Sequence, residues 1–128
     1  MDLATLGGIG LLGLAGALGA LMRYLVGRMI AQRTRSAFPW GTLLINVSGA
    51  FLIGLVAGLT SRKLLAPLAQ TILATGFLGG YTTFSTMAWE GMQLARGGSL
   101  RQSVLYLGGN ILPGVLAAAL GLWLGAGL

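Results

Sequence analysis

Residues 76–90 read Gly76-Phe77-Leu78-Gly79-Gly80-Tyr81-Thr82-Thr83-Phe84-Ser85-Thr86-Met87-Ala88-Trp89-Glu90, within a run from Leu64 to Trp89 that carries no charge. Gly79 and Gly80 are poor helix formers, and Tyr81 to Thr86 set hydroxyl groups where a plain membrane helix carries Leu and Ala. The stretch predicts an interrupted helix. In hydrocarbon each freed backbone N–H or C=O costs several kcal/mol, so a break persists only where it faces protein, water or an ion. A broken membrane helix is therefore a functional-site hypothesis.

The surrounding chain fits that setting. It has 128 residues, 55% hydrophobic and 8% charged, with a mean hydropathy of +0.86; a soluble domain has roughly 25% charged residues. Cysteine and histidine are absent, which removes disulfide frameworks, thiol chemistry and the commonest zinc ligands. No nucleophile–base pair or carboxylate pair is available for a membrane-embedded enzyme. The net charge of +6 lies in short clusters between apolar runs, the pattern of loops facing headgroups and not of a nucleic-acid surface.

Uncharged runs extend over Leu3–Met22, Phe38–Ser61, Leu64–Trp89 and Gln102–Leu128. About 20 helical residues span a hydrocarbon core, so the sequence predicts one all-α integral membrane unit over 1–128 with four transmembrane helices, at about 3–27, 39–60, 65–95 and 101–126. The first run lacks a basic leader and cleavage site and is expected to stay in place. Gly10, Gly13, Gly16 and Gly19 recur every three residues and would align small residues for close helix packing. Phe38-Pro39-Trp40-Gly41 reads as a helix start, and Arg96-Gly97-Gly98-Ser99 as a turn. The first and third connections hold Arg28, Arg33, Arg35, Arg96 and Arg101 against Arg62 and Lys63 in the second. That bias is too small to fix orientation. Four helices are also too few to enclose a pore, and if both orientations insert, the natural assembly is an antiparallel two-fold homodimer.

Three motifs carry a family resemblance. The Gly76–Thr86 run, the Gly41-Thr42-Leu43-Leu44-Ile45-Asn46 start of the second helix and the Gly19-Ala20-Leu21-Met22-Arg23-Tyr24 segment of the first together resemble the CrcB/Fluc fluoride channels, in the same order and over essentially the whole chain. The resemblance implies a multi-pass protein of the bacterial inner membrane. It implies a dual-topology antiparallel homodimer whose two pores pass fluoride passively out of the cytoplasm. It further implies one structural, untransported sodium ion where the two breaks cross, held by the backbone carbonyls of Gly79 and Thr82 from both subunits. A hard cation prefers oxygen, although an ordered water would also satisfy freed carbonyls.

By the same resemblance Phe84 is the first of two pore phenylalanines, offering a positive ring edge to an anion. The second position holds Met87, whose thioether is polarizable but has no ring edge, so altered conduction is expected. Asn46 matches a pore asparagine that can donate to a partly dehydrated anion; its alternative role is an interhelical hydrogen bond. Thr42 and Tyr106 match polar-track positions, Asn110 stands where serine is frequent, and Ser85 and Thr86 could line the same path or bond their own backbone. Arg23 either snorkels to headgroups or forms a positive vestibule. Glu90 is assigned no definite role.

Two rival functions remain. A small proton-coupled multidrug transporter needs a membrane-embedded carboxylate, and Asp2 and Glu90 are the chain's two acids. A non-conducting assembly subunit would account for the glycines but not for Asn46, Phe84, Tyr106 and Asn110.

Overall fold

The computed structural model describes residues 1–128 and is built of helices and short connections. Helix α1 (Leu3–Arg33) starts where the Asp2 side chain accepts from the Thr5 N–H. It runs past the expected turn at residue 28, because Arg28 to Arg33 contain neither glycine nor proline. It stops at Thr34, whose N–H and hydroxyl both donate to the Ile30 carbonyl. Helix α2 (Trp40–Ser61) follows Pro39, and α6 (Leu100–Gly125) continues through Pro113. These three helices are each long and apolar enough to cross a membrane.

Residues 67–96 form no single helix. They pass through α3 (Pro67–Gln70), a π-helical segment (Thr71–Leu78), a single turn α4 (Gly79–Tyr81), two extended residues and α5 (Phe84–Arg96). The interruption expected within residues 76–90 falls at Thr82 and Thr83, just past the glycine pair, with ψ of 158° and 123°. Gly79 is helical, at φ −61° and ψ −38°. Gly98, at φ +89°, turns the chain from α5 into α6, a conformation that favours glycine.

Two close crossings hold these pieces together. Helices α2 and α6 touch backbone to backbone: a Cβ on Gly54 would collide with the Ala118 carbonyl, and one on Gly121 with the Phe51 carbonyl. Helix α1 crosses the third segment similarly, with Gly19 against Phe77 and Gly80 against Gly16. The expected glycine stripe of α1 is thus used at Gly16 and Gly19; Gly7, Gly8, Gly10 and Gly13 have no neighbour within 4 Å of an added Cβ, because the crossing lies further along α1. Between the crossings sits an apolar cluster of Ile45, Val56, Leu78 and Tyr81. Leu14, Leu112, Val115 and Leu116 point outward, as apolar side chains facing hydrocarbon do.

Candidate functional site

The break exists because side chains take the N–H groups that would close the helix. In an uninterrupted helix the Thr83 N–H would bond the Gly79 carbonyl and the Thr86 N–H would bond the Thr82 carbonyl. Here Thr83 N–H donates to Asn46 Oδ1 at 2.9 Å and Thr86 N–H to Thr83 Oγ1 at 3.2 Å. Thr83 thereby acts as the N-cap of α5, in the middle of an apolar chain. The Gly79 and Thr82 carbonyls lose their helical donors, which is the donor chemistry a hard cation accepts. They are the two carbonyls that the family resemblance assigned to sodium. Thr82 Oγ1 donates to the Leu78 carbonyl at 2.9 Å, so its hydroxyl is held by its own backbone.

From this break a continuous line of polar groups runs to the connection between α1 and α2. Asn46 Nδ2 donates both to the Thr83 carbonyl and to Asn110 Oδ1, each at 3.0 Å, and Asn110 Nδ2 donates to the Tyr106 carbonyl at 2.9 Å. The Tyr106 hydroxyl then donates to Glu90 Oε2 at 2.7 Å, and Thr42 Oγ1 to Glu90 Oε1 at 3.0 Å. On the other side of the break Thr83 Oγ1 donates to Thr86 Oγ1 at 3.0 Å, with Ser85 Oγ 3.5 Å away. Every buried side-chain N or O atom has a partner, as polar groups in a low-dielectric interior require. The line uses one helical period: Thr42 and Asn46 sit one turn apart on α2, as do Tyr106 and Asn110 on α6.

The structure gathers Asn46, Thr42, Tyr106, Asn110, Ser85 and Thr86 around this line, with Glu90 at its end. Tyr106 is fully buried, 0% exposed, and Phe38 meets its ring edge-on at a centroid distance of 5.5 Å. Phe84 is 78% exposed although it adjoins the break, whereas Met87, one turn on, is buried. Both line a groove of about 270 Å³ together with Asn46 and Thr82. Glu90 opens onto two cavities. One, of about 260 Å³, is lined by Thr34, Ser36, Phe38 and Thr42; the other, of about 340 Å³, by Gln93, Ser99 and Gln102. Arg23 stands half-buried on α1, outside this line of hydrogen bonds.

Sequence reasoning missed two features: Glu90 as the acceptor for two donors, and the grip of Asn46 on both backbone groups of Thr83. The first had a signal, since an acid next to an apolar segment needs donors and Thr42 and Tyr106 both carry hydroxyls one turn from an asparagine. The second was legible only in part: an interhelical hydrogen bond was the alternative role expected of Asn46, but nothing pointed to Thr83 as the partner, 37 positions away.

Comparison with known proteins covers nearly the whole chain. Residues 10–122 match the family model described as CrcB-like protein, Camphor Resistance (CrcB). Over 118 residues the chain is 42% identical to a Thermus thermophilus protein named fluoride-specific ion channel FluC, an alignment that covers 92% of this chain and 93% of that one. It is 44% identical over 113 residues to a protein of the same name from Acidobacterium capsulatum, covering 88% and 90%. A Clostridium acetobutylicum protein named fluoride-specific ion channel FluC 2 is 42% identical over 111 residues, covering 87% and 92%.

Proposed function

The chain belongs to the CrcB-like protein family, and from that premise we propose that it is a fluoride-selective passive channel of the bacterial inner membrane. The observation that carries the reading is the polar line through Asn46, Asn110, Tyr106, Thr42 and Glu90, which ends beside an exposed Phe84 ring in an otherwise apolar chain. Fluoride is small and strongly hydrated, so a pore replaces its water with hydroxyl and amide donors and ring edges while excluding larger anions by width. Phe84 supplies the ring edge, and Met87 fills the wall beside it. Thr42, Tyr106, Ser85 and Thr86 line the path with hydroxyls and Asn46 and Asn110 with amides, of which Asn46, Thr42 and Tyr106 must turn from their resting partners to meet the anion, and Arg23 gives a positive approach that concentrates anions.

The working unit is an antiparallel homodimer. Residues 67–96 make the fourth crossing, and the exposure of Phe84 at mid-chain supports a second subunit covering that face. Both breaks then meet on the two-fold axis, where the Gly79 and Thr82 carbonyls, freed by Asn46 and Thr83, suit a structural sodium ion. When bound, that ion supplies positive charge to carbonyl oxygens that would otherwise lie unpaired in a dry site. Hydrogen fluoride enters cells as a neutral acid and dissociates inside. The negative-inside potential, about 2.3 kcal/mol per charge per 100 mV, then drives the anion out without a coupling ion.

The test is fluoride efflux from liposomes containing the purified protein, with chloride as control. Fluoride flux without chloride flux is expected, and equal flux of both would end the selectivity claim. Phe84→Ile keeps an apolar side chain but removes the ring edge, and flux should fall at least about a hundredfold, as when one electrostatic contact to the moving charge is removed.

A further inference from the structure

The partners of Asn46 fix which way its amide is turned. The Thr83 N–H can only donate, so the atom 2.9 Å from it is Oδ1, and Nδ2 faces the Thr83 carbonyl and Asn110. A donor there obliges Asn110 to present its own oxygen, which leaves Asn110 Nδ2 for the Tyr106 carbonyl. Donation therefore passes in order from the Thr83 N–H at the break, through Asn46 on α2, to Asn110 and the Tyr106 carbonyl on α6. Reversing either amide would set N–H against N–H, or carbonyl against carbonyl.

Both hydrogens of Asn46 are engaged, and one of them depends on Asn110. We infer that Asn110 is a positioning residue that, acting through Asn46, holds the Thr83 N–H away from the Gly79 carbonyl and so keeps the third segment broken. Its neighbourhood fits such a role. Asn110 is buried and reaches its two partners on two different elements, the Tyr106 carbonyl one turn back on α6 and Asn46 on α2. Without it, one Asn46 hydrogen loses its partner in a low-dielectric site, and the amide gains by turning toward another acceptor. The Thr83 N–H then loses its fixed acceptor and opens to solvent more often, and the segment is no longer held in its broken form. The link to sodium rests on the function proposed above; the link to the break does not.

Two readouts separate those cases. In protein labelled with ¹⁵N-threonine, Asn110→Leu keeps the volume and removes the amide. The Thr83 amide should then exchange at least about fivefold faster, the factor that one buried hydrogen bond is worth, while the Thr60 amide on α2 does not change. Asn110→Gln restores an amide and should restore protection. If Asn110→Leu does not fold, Asn110→Ala is read in its place. In the same variants, the sodium concentration that gives half of the thermal stabilisation should rise about tenfold, within the usual range for coupled sites. Equal exchange at Thr83 in wild type and variant, or acceleration at Thr60 to the same degree, overturns the inference. If the wild type gains no stability from sodium, the sodium reading fails, and Thr83 exchange alone decides whether Asn110 holds the break.

Discussion

The α2–α6 pair and the segment from Pro67 to Arg96 are both rich in glycine, yet one is continuous and the other broken. In α2 and α6, Gly54 and Gly121 let two intact helices approach until carbonyls of the opposite helix fill the space that a Cβ would need. In the third segment Gly80 does the same against Gly16 of α1. Gly76, Gly79 and Gly80 are still helical, and the break comes after them, at the first residues whose N–H groups find side-chain oxygens. Glycine sets how close the helices come. Competing acceptors decide where a helix stops.

Substitutions can separate the two effects. Gly121→Val puts a branched Cβ into the Phe51 carbonyl, where backbone on both sides leaves no room to yield. It should cost about 3 kcal/mol or more, read as a lowered melting temperature in detergent and loss of monodisperse protein. Unchanged melting would mean that α2 and α6 do not meet there. Asn46→Ala is expected to cost less, roughly 1–3 kcal/mol, because it leaves the Thr83 N–H and carbonyl and Asn110 Oδ1 without partners but creates no collision. It should also speed exchange of the Thr83 amide while α2 stays helical. If that variant melts like wild type and keeps Thr83 protected, the break is set by local sequence and the comparison drawn above is wrong.

Much of the architecture was legible because hydropathy and helical period are local. The apolar runs located α1, α2 and α6 to within a few residues at most ends, whereas Asn46 and Tyr106 entered through the family resemblance. Tyr106 and Asn110 lie four residues apart, so the helix puts them on one face, with the Asn110 amide on the Tyr106 carbonyl. The position of the break was less legible. Gly79-Gly80 is the weakest helical dipeptide of the run, but close packing on α1 holds it helical, and only the fold brings Asn46 of α2 to Thr83. Glu90 was left without a role for the same reason: its donors, Thr42 and Tyr106, come from two other helices.

The smallest expected effect isolates the capping device itself. Asp2, Thr83 and Ser99 each accept from an N–H three residues on, those of Thr5, Thr86 and Gln102. The three caps share one geometry in different surroundings, with Thr83 buried and Asp2 fully exposed. Water can replace the Asp2 bond but not the Thr83 bond, so the first is worth little and the second fixes a break. Asp2 also carries charge. Hydrogen bonds from Thr5, first from its side chain and then from its backbone, hold the Asp2 carboxyl below its ordinary value of 3.8. A carboxyl held low in the folded state adds stability above its unfolded value, and that contribution is lost as pH falls through the lowered one. Asp2→Asn keeps a capping oxygen without the charge. Protection of the Thr5 amide should therefore be slightly greater in wild type than in Asp2→Asn near neutral pH, and the two should converge as pH drops below 3.8. Fluoride flux should be the same in both. A difference at Thr5 that persists in acid would mean that the cap acts through shape alone, and a change in flux would tie the start of α1 to the pore.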